Sequence, residues 1–368
     1  TLVHFDKNLP ALKRLYMTAT PKFVSKKLKR KLGEDYELIC DMSNPEIYGE
    51  EAYHMTFGEA IDKEILVDYK IIGIGVTDRQ IQQQIEERRY LGDYTADELA
   101  NNFALELVMS NYGAYHSISF HSRVEYARNF AKRHNDFYED VFSNSVDGDQ
   151  TTTLRSKILN EFRDSPKGLV SNARCLTEGV DVPSIDLIYF CDPKSSVVDI
   201  VQASGRALRL DPTGKKKCGY IVVPIFHRED QDVETEIKKK PIFEHLIQVI
   251  RSLCDHDERL RSEMNEIALS KGKRENSRIN LDFSGSKIEN IIKLDGIEEK
   301  VRKVLFDEII EKTSSNWELR FQQMKEFIQN NGHSTISKND KANSELYYWA
   351  ANLRKNYCLS PLINWTNL

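Results

Sequence analysis

Three neighbouring stretches decide the fold: Asn172-Ala-Arg-Cys-Leu-Thr-Glu-Gly-Val-Asp-Val-Pro183, the apolar run Ile185–Phe190, and Gln202-Ala-Ser-Gly-Arg-Ala-Leu-Arg209. A short apolar run bounded by turn residues reads as a strand buried on both faces. The segment Val197–Leu208 after it carries helical spacing, so strand, loop and helix follow one another. On that helix Gln202, Arg206 and Arg209 fall at i, i+4 and i+7 and are predicted to project from one face. Gly205, without a Cβ, leaves room for a backbone or a phosphate beside the first arginine. Two guanidiniums on one face near strand carboxyl ends suit a multiply charged anion such as phosphate. Taken alone, an RxxR pair is more often two surface arginines in salt bridges; its surroundings decide.

Working outward, further apolar runs are predicted to be strands at Lys70–Val76, Tyr115–Phe120, Gly168–Ser171 and Tyr220–Val223. Helical stretches lie between them at Ala96–Asn111, Ser122–His134 and Thr153–Arg163. This alternation predicts βαβ units and a parallel sheet, with ligands beyond the strand carboxyl ends. After Phe226 the strand signal disappears. Phe243, Leu246, Ile247, Ile250 and Leu253, then Ile297, Val301, Val304, Leu305 and Ile309, recur at helical spacing, with the polar Lys271–Arg278 between them read as an exposed linker. The expected class is therefore α/β, a parallel sheet with flanking helices, plus a C-terminal all-α region. Leu12–Met17 is predicted to be a strand running into the turn Thr18-Ala19-Thr20-Pro21, and basic Lys22–Lys31 a solvated helix face.

The whole chain has 368 residues, 40% hydrophobic and 30% charged, with 52 Lys+Arg against 57 Asp+Glu and a net charge of −5. That composition excludes a largely disordered chain and a broadly basic nucleic-acid binder. The six cysteines, Cys40, Cys175, Cys191, Cys218, Cys254 and Cys358, show no CxxC or CxH spacing, so neither a zinc site nor a disulfide framework is expected, and a reducing, cytoplasmic setting is. No apolar run approaches the roughly 20 residues needed to cross a bilayer; no membrane partner is expected.

Thr18-Ala19-Thr20-Pro21, the Asn172–Pro183 block and Gln202–Arg209 occur in the order and spacing of superfamily 2 helicases and translocases, and resemble their motifs III, V and VI. Ser119-Phe120-His121-Ser122 is similar to motif IV, and the connector Tyr48-Gly49 through Phe57-Gly-Glu-Ala60-Ile61 to Leu66-Val-Asp-Tyr69 is similar to the crossing between two motor domains. The resemblance covers residues 12–225 and is nearest to restriction-enzyme motor subunits and related bacterial helicases. It implies a RecA-like fold, an ATP and Mg2+ requirement, and a nucleic-acid partner, DNA over RNA. Residue by residue it implies Arg206 and Arg209 as arginine fingers toward the γ-phosphate, with Gln202 beside them and Gly205 leaving space. Gly179 and Asp181 would face the nucleotide, Arg174 and Thr177 would link it to the strand, and Ser119, His121 and Ser122 would face strand phosphates. Thr18 and Thr20 would couple nucleotide state to strand binding. No metal ligand is expected within this sequence.

The sequence contains no GxxxxGK[ST] phosphate cradle and no DEAD-like acidic motif; Gly73-Ile-Gly75 is not followed by GK[ST]. Family order puts both before Thr1, so the chain is expected to be the C-terminal half of a longer motor. The domains are expected at 1–65 (end of the first RecA-like domain and connector), 66–228 (second RecA-like domain), 229–313 (helical connector) and 314–368. The last resembles a helicase-associated domain through Trp317, Phe327, Gly332-His333, Trp349 and Arg354, whose tryptophans read as core residues ahead of base-stacking ones. The expected function is the C-terminal half of an ATP-dependent helicase or translocase, inactive alone. The alternatives are the motor subunit of a restriction system, and a non-catalytic nucleic-acid-binding module with a helicase-like fold.

Overall fold

The computed structural model describes residues 4, 8–18, 41–42, 44–77, 79–83, 96–173, 185–192, 196–211, 213–214, 216–227, 241–272, 287–313, 316–337, 340 and 343–357. Two compact units divide the chain, Thr1–Thr56 and Phe57–Leu368.

In the second unit seven strands form one parallel sheet: β1 (Asp68–Thr77), β2 (His116–Phe120), β3 (Phe142–Asp147), β4 (Gly168–Ala173), β5 (Leu187–Phe190), β6 (Cys218–His227) and β7 (Ile292–Asp295), in the order β3-β4-β2-β5-β6-β1-β7. The fold class is as the alternation predicts. Helices α1 (Ala96–Tyr112), α2 (Val124–Phe137), α3 (Thr152–Asp164), α4 (Val197–Ala207) and α5 (Pro241–Cys254) follow or link these strands. One face of the sheet packs Leu99, Leu105, Met109 and Phe130 of α1 and α2. The other packs Ile158 and Phe162 of α3, Ile200 and Ala203 of α4, and Leu246 and Ile250 of α5.

Two strands depart from the expectation. β3 reads Phe-Ser-Asn-Ser-Val-Asp and lies at the sheet edge, where only its last three residues are buried, so no apolar run announces it. β7 lies at the opposite edge, within the region expected to be wholly helical, and alternates buried and half-buried residues over four positions. It pairs Ile71–Ile74 with Ile292–Asp295. Where β1 leaves β7, Gly75 and Gly296 meet backbone to backbone: a Cβ on Gly75 would lie 2.6 Å from the Gly296 carbonyl oxygen, and Gly296 holds φ +67°. Gly75 therefore serves close strand packing.

The helical region continues that core. α6 (Glu258–Gly272) and α7 (Glu299–Thr313) send Leu260, Met264, Val301, Leu305 and Ile309 into the cluster that α5 shares with the sheet. α6 reaches Gly272, inside the stretch expected to be linker; 273–286 lie outside the described residues. Buried Asp257 ties the region to β1. It accepts from the Tyr69 hydroxyl at 2.9 Å, from the Arg259 backbone N–H at 2.9 Å, and from Arg259 Nε and Nη2 at 3.2 and 3.0 Å. It thereby caps the first turn of α6. α8 (Asn316–Asn331) and α9 (Ser344–Tyr357) form a smaller core of Met324, Ile336, Leu346 and Ala350, against which Trp349 packs half-buried. Gly332, at φ +73°, closes α8 as a left-handed stop.

In the first unit Leu12–Met17 is irregular, not a strand, and Leu12, Leu15 and Met17 are exposed. Among the described residues of that unit no strand stands beside it to take up its backbone groups. Among its described residues His4, Tyr16 and Tyr48 form a cluster, with ring centroids 4.9 to 5.5 Å apart. Lys22–Lys31 and Thr20 lie outside the described residues.

Candidate nucleotide and strand sites on the two rims of the sheet

Parallel strands place all their carboxyl ends on one rim and all their amino ends on the other. β2 leads outward to β3 and β5 leads the opposite way to β6, yet the two are neighbours. Their carboxyl ends therefore open a crevice at the point where the winding reverses. Ser119, His121 and Ser122 come to this crevice. Ser119 is fully buried and its Oγ lies 2.8 Å from Ser171 Oγ. His121 is 5% exposed, and its Nε2 lies 3.0 and 2.9 Å from the hydroxyls of Ser119 and Ser171. Burial lowers its pKa to about 4, with Asp192 opposing, so the ring is neutral at pH 7. Ser122 is the exposed member; its N–H and Oγ donate to Asp192 Oδ2 at 2.7 and 2.8 Å, joining the ends of β2 and β5. Asp192 and Ser171 are the residues that sequence reasoning passed over here, and the strand-end position of each was the available signal.

The arginines lie on the other rim. Ser196 caps α4 by accepting from the Asp199 N–H at 3.2 Å, and the helix then runs back toward the strand amino ends and stops at Ala207. Gln202 and Arg206 share a helix face, as the spacing predicts, but Arg209 does not join them on the helix. Its chain is diverted into a bridge with Leu66, and the Leu208 carbonyl accepts from the Val67 N–H at 2.8 Å. Gly219 abuts the helix end: a Cβ there would meet the Ala207 carbonyl oxygen at 2.5 Å. Tight packing of β6 against α4 thus ends the helix before Arg209. Lys216 holds this corner, its Nζ donating at 2.6 Å to the carbonyls of both Ile185 and Arg209. Burial lowers Lys216 to about 8, with Asp186 and Asp211 opposing. Arg206 is 6% exposed and Arg209 half-buried. Gly205 has nothing within 4 Å of a built Cβ, so the space beside Arg206 is open.

From Ile185 to Cys191 the chain climbs roughly 20 Å at about 3.3 Å per residue. The chain at Arg206–Arg209 and the Ser122–Asp192 pair therefore lie at opposite rims, whereas the sequence pattern placed the arginines near the strand carboxyl ends. Arg174, Thr177, Gly179 and Asp181 lie outside the described residues. Thr18 belongs to the first unit and is exposed. Among the described residues no group of three or more His, Cys, Asp or Glu side chains could hold a metal ion, and no helix is long and apolar enough to cross a membrane.

The model of the family "Helicase conserved C-terminal domain" matches residues 101–211, which take in most of α1, Ser119–Ser122, Asp192 and α4 through Arg209. Residues 101–211 thus match the conserved C-terminal domain of helicases. The DNA-bound ATP-dependent Type ISP restriction-modification enzyme LlaBIII is similar over 96% of this chain, at 25% identity and a TM-score of 0.64. The Saccharomyces cerevisiae protein described as "Putative ATP-dependent helicase IRC3" is 35% identical over 65 residues, 18% of this chain. The chain spans 25% of the LlaBIII chain, and the match to IRC3 spans 9% of that protein. Outside the matched residues this chain adds β1 before them, and β6, the helical region and β7 after them.

Proposed function

We propose that this chain is the C-terminal motor half of an ATP-dependent helicase or translocase acting on nucleic acid, DNA in preference to RNA. Its α4 corner would supply arginines to an ATP held by a P-loop domain in the same polypeptide or a partner. The observation that carries the reading is the Arg206–Arg209 corner, stiffened by Lys216 and the Leu66 bridge, within the matched domain. Arg209, the more accessible of the two, is the finger; it would stabilise charge developing on the γ-phosphate, an effect worth about 10³–10⁵ in rate where such fingers are best understood. Buried Arg206 holds the corner beside it, and Gln202 lines the same helix face. Mg2+, like ATP, would be held mainly by the P-loop side, as the resemblance implies. On the opposite rim Ser122 makes the strand contact, while Ser119 and His121, both buried, position it. Arg174, Thr177, Gly179, Asp181, Thr18 and Thr20 keep the roles that the resemblance implies. Similarity to LlaBIII favours translocation of the restriction-motor kind as the second reading. α8 and α9 would form an accessory module of the helicase-associated type.

The test is turnover in a motor that unites this chain with its P-loop domain. Arg209→Ala should abolish nucleic-acid-stimulated ATP hydrolysis and leave ATP binding within a few-fold. Normal turnover would refute the assignment, as would robust ATPase activity from the 368-residue chain alone.

A further inference from the structure

The crevice between β2 and β5 opens into a cavity of about 350 Å3 whose walls have a chemistry of their own. Its size is at the small end of the range for small-molecule sites, about 300–1,000 Å3. Phe130 and Tyr126 of α2 supply aromatic surface; Phe130 is 4% exposed and Tyr126 46%. Glu98 and Asn101 come from the first turns of α1, His121 from the end of β2 and Asp192 from the end of β5.

His121 is the built element. Its Nε2 faces two hydroxyls that also face each other. If Nε2 accepts, both hydroxyl protons are used inside this triangle. If Nε2 carried the proton, one buried hydroxyl proton would have nowhere to go within it. Counting hydrogens therefore assigns the ring proton to Nδ1. Nδ1 makes no hydrogen bond to any described residue, although the ring is 5% exposed and forms part of the cavity wall. A ring N–H that borders the cavity without a protein partner is free to donate to whatever occupies it. Beside it, Asp192 uses one carboxylate oxygen, Oδ2, for both bonds to Ser122, which leaves Oδ1 as an acceptor. The cavity thus presents a neutral donor, an anionic acceptor and aromatic surface. Two carboxylates, Glu98 and Asp192, bias it against phosphate.

We infer that this cavity binds one planar nitrogen heterocycle of the nucleobase class, with its amino or imino hydrogens toward Asp192, a ring acceptor toward His121, and any phosphate left outside. The base could arrive on a free nucleoside or unstacked from a bound strand; both present the same edge. The inference does not rest on the motor reading, because a free nucleoside suffices to test it.

The 368-residue chain is titrated with adenosine, guanosine, cytidine and uridine, and separately with inorganic phosphate, by calorimetry and by amide chemical shifts. At least one nucleoside should bind saturably. Tyr126→Ala should weaken it about tenfold, within the range for a base stacked on one aromatic side chain, whereas Tyr115→Ala, an exposed tyrosine at the amino rim, should leave it unchanged. Asp192→Asn should weaken binding to a similar degree and serves as the second variant should Tyr126→Ala fold poorly. A short single strand carrying one 2-aminopurine tests the strand-borne source, its fluorescence change disappearing in the same variants. The inference is overturned if neither a nucleoside nor the 2-aminopurine base binds saturably. It is equally overturned if binding ignores both substitutions in folded protein, or if inorganic phosphate competes for the cavity.

Discussion

Replacing Asp257 by alanine tests how the helical region is fastened to the sheet. Asp257 is fully buried and accepts from Tyr69, from the Arg259 side chain, and from the backbone N–H groups of Arg259 and Leu260, the last at 3.4 Å. Loss of the helix cap costs about 1 kcal/mol. The Tyr69 hydroxyl, 2% exposed as a residue, loses its acceptor, which costs about 1–3 kcal/mol. Arg259 keeps Asp68 at 3.3 Å across a partly exposed pair, so its share stays under about 1 kcal/mol. The sum centres near 3 kcal/mol, or a fall in Tm of about 4–5 °C for a unit of this size. Tyr69→Phe alone should cost about 1 kcal/mol. In the Asp257→Ala background it should cost nothing or stabilise, because it removes a hydroxyl already stranded. Urea unfolding of the four proteins in this cycle, at pH 7, measures the coupling. Equal effects of Tyr69→Phe in both backgrounds, or an Asp257→Ala cost below about 1 kcal/mol, would refute the account.

Three further outcomes are expected. Gly296→Ala should destabilise by at least about 2 kcal/mol, since it combines a left-handed φ with a Cβ driven into the Gly75 backbone, whereas Gly332→Ala, with the same sign of φ and open space around it, should cost only about 1 kcal/mol; equal losses on thermal melting would count against the contact. His121 has a folded pKa of about 4 against about 6.5 unfolded, so the unfolded chain takes up the proton first and stability falls as pH drops from 6.5 toward 4. Between pH 7 and pH 5 that loss is about 2 kcal/mol, and His121→Gln should flatten the profile by this amount when unfolding is measured at both pH values. Lys216→Met should lower ATP turnover of the united motor roughly ten- to hundredfold through a misplaced Arg209, with ATP affinity nearly unchanged and Lys216→Arg partly active; a fall in affinity matching the fall in turnover would argue for simple unfolding.

The central strands were legible because burial on both faces demands unbroken apolar runs, and Ile185–Phe190 and Tyr220–Val223 supply them. Edge strands carry no such demand, and Ser143-Asn144-Ser145 and Lys293 hid β3 and β7. Helical spacing placed Gln202 and Arg206 together but could not see that Gly219 would stop the helix at Ala207 and send Arg209 to Leu66. Nor could it tell that His121 and Ser119 face inward, because that depends on Ser171, fifty residues further along and on the neighbouring strand. The apolar spacing of Leu12–Met17 misled for the opposite reason: a strand requires a neighbour as well as a pattern.

The Gly75–Gly296 contact also fixes a sequence of events in time. β1 finds its outer partner more than 200 residues later in the chain. At about 5–20 residues per second the ribosome needs roughly ten to forty seconds to supply that partner. Throughout that interval the outer backbone edge of Ile71–Ile74 stands open, beside side chains among the most apolar in the sheet. An edge of this kind recruits other strands. The newborn chain therefore passes through a window in which a second nascent copy, or a chaperone, competes with β7 for the same groove, and the two glycines are what let β7 seat closely enough to close it.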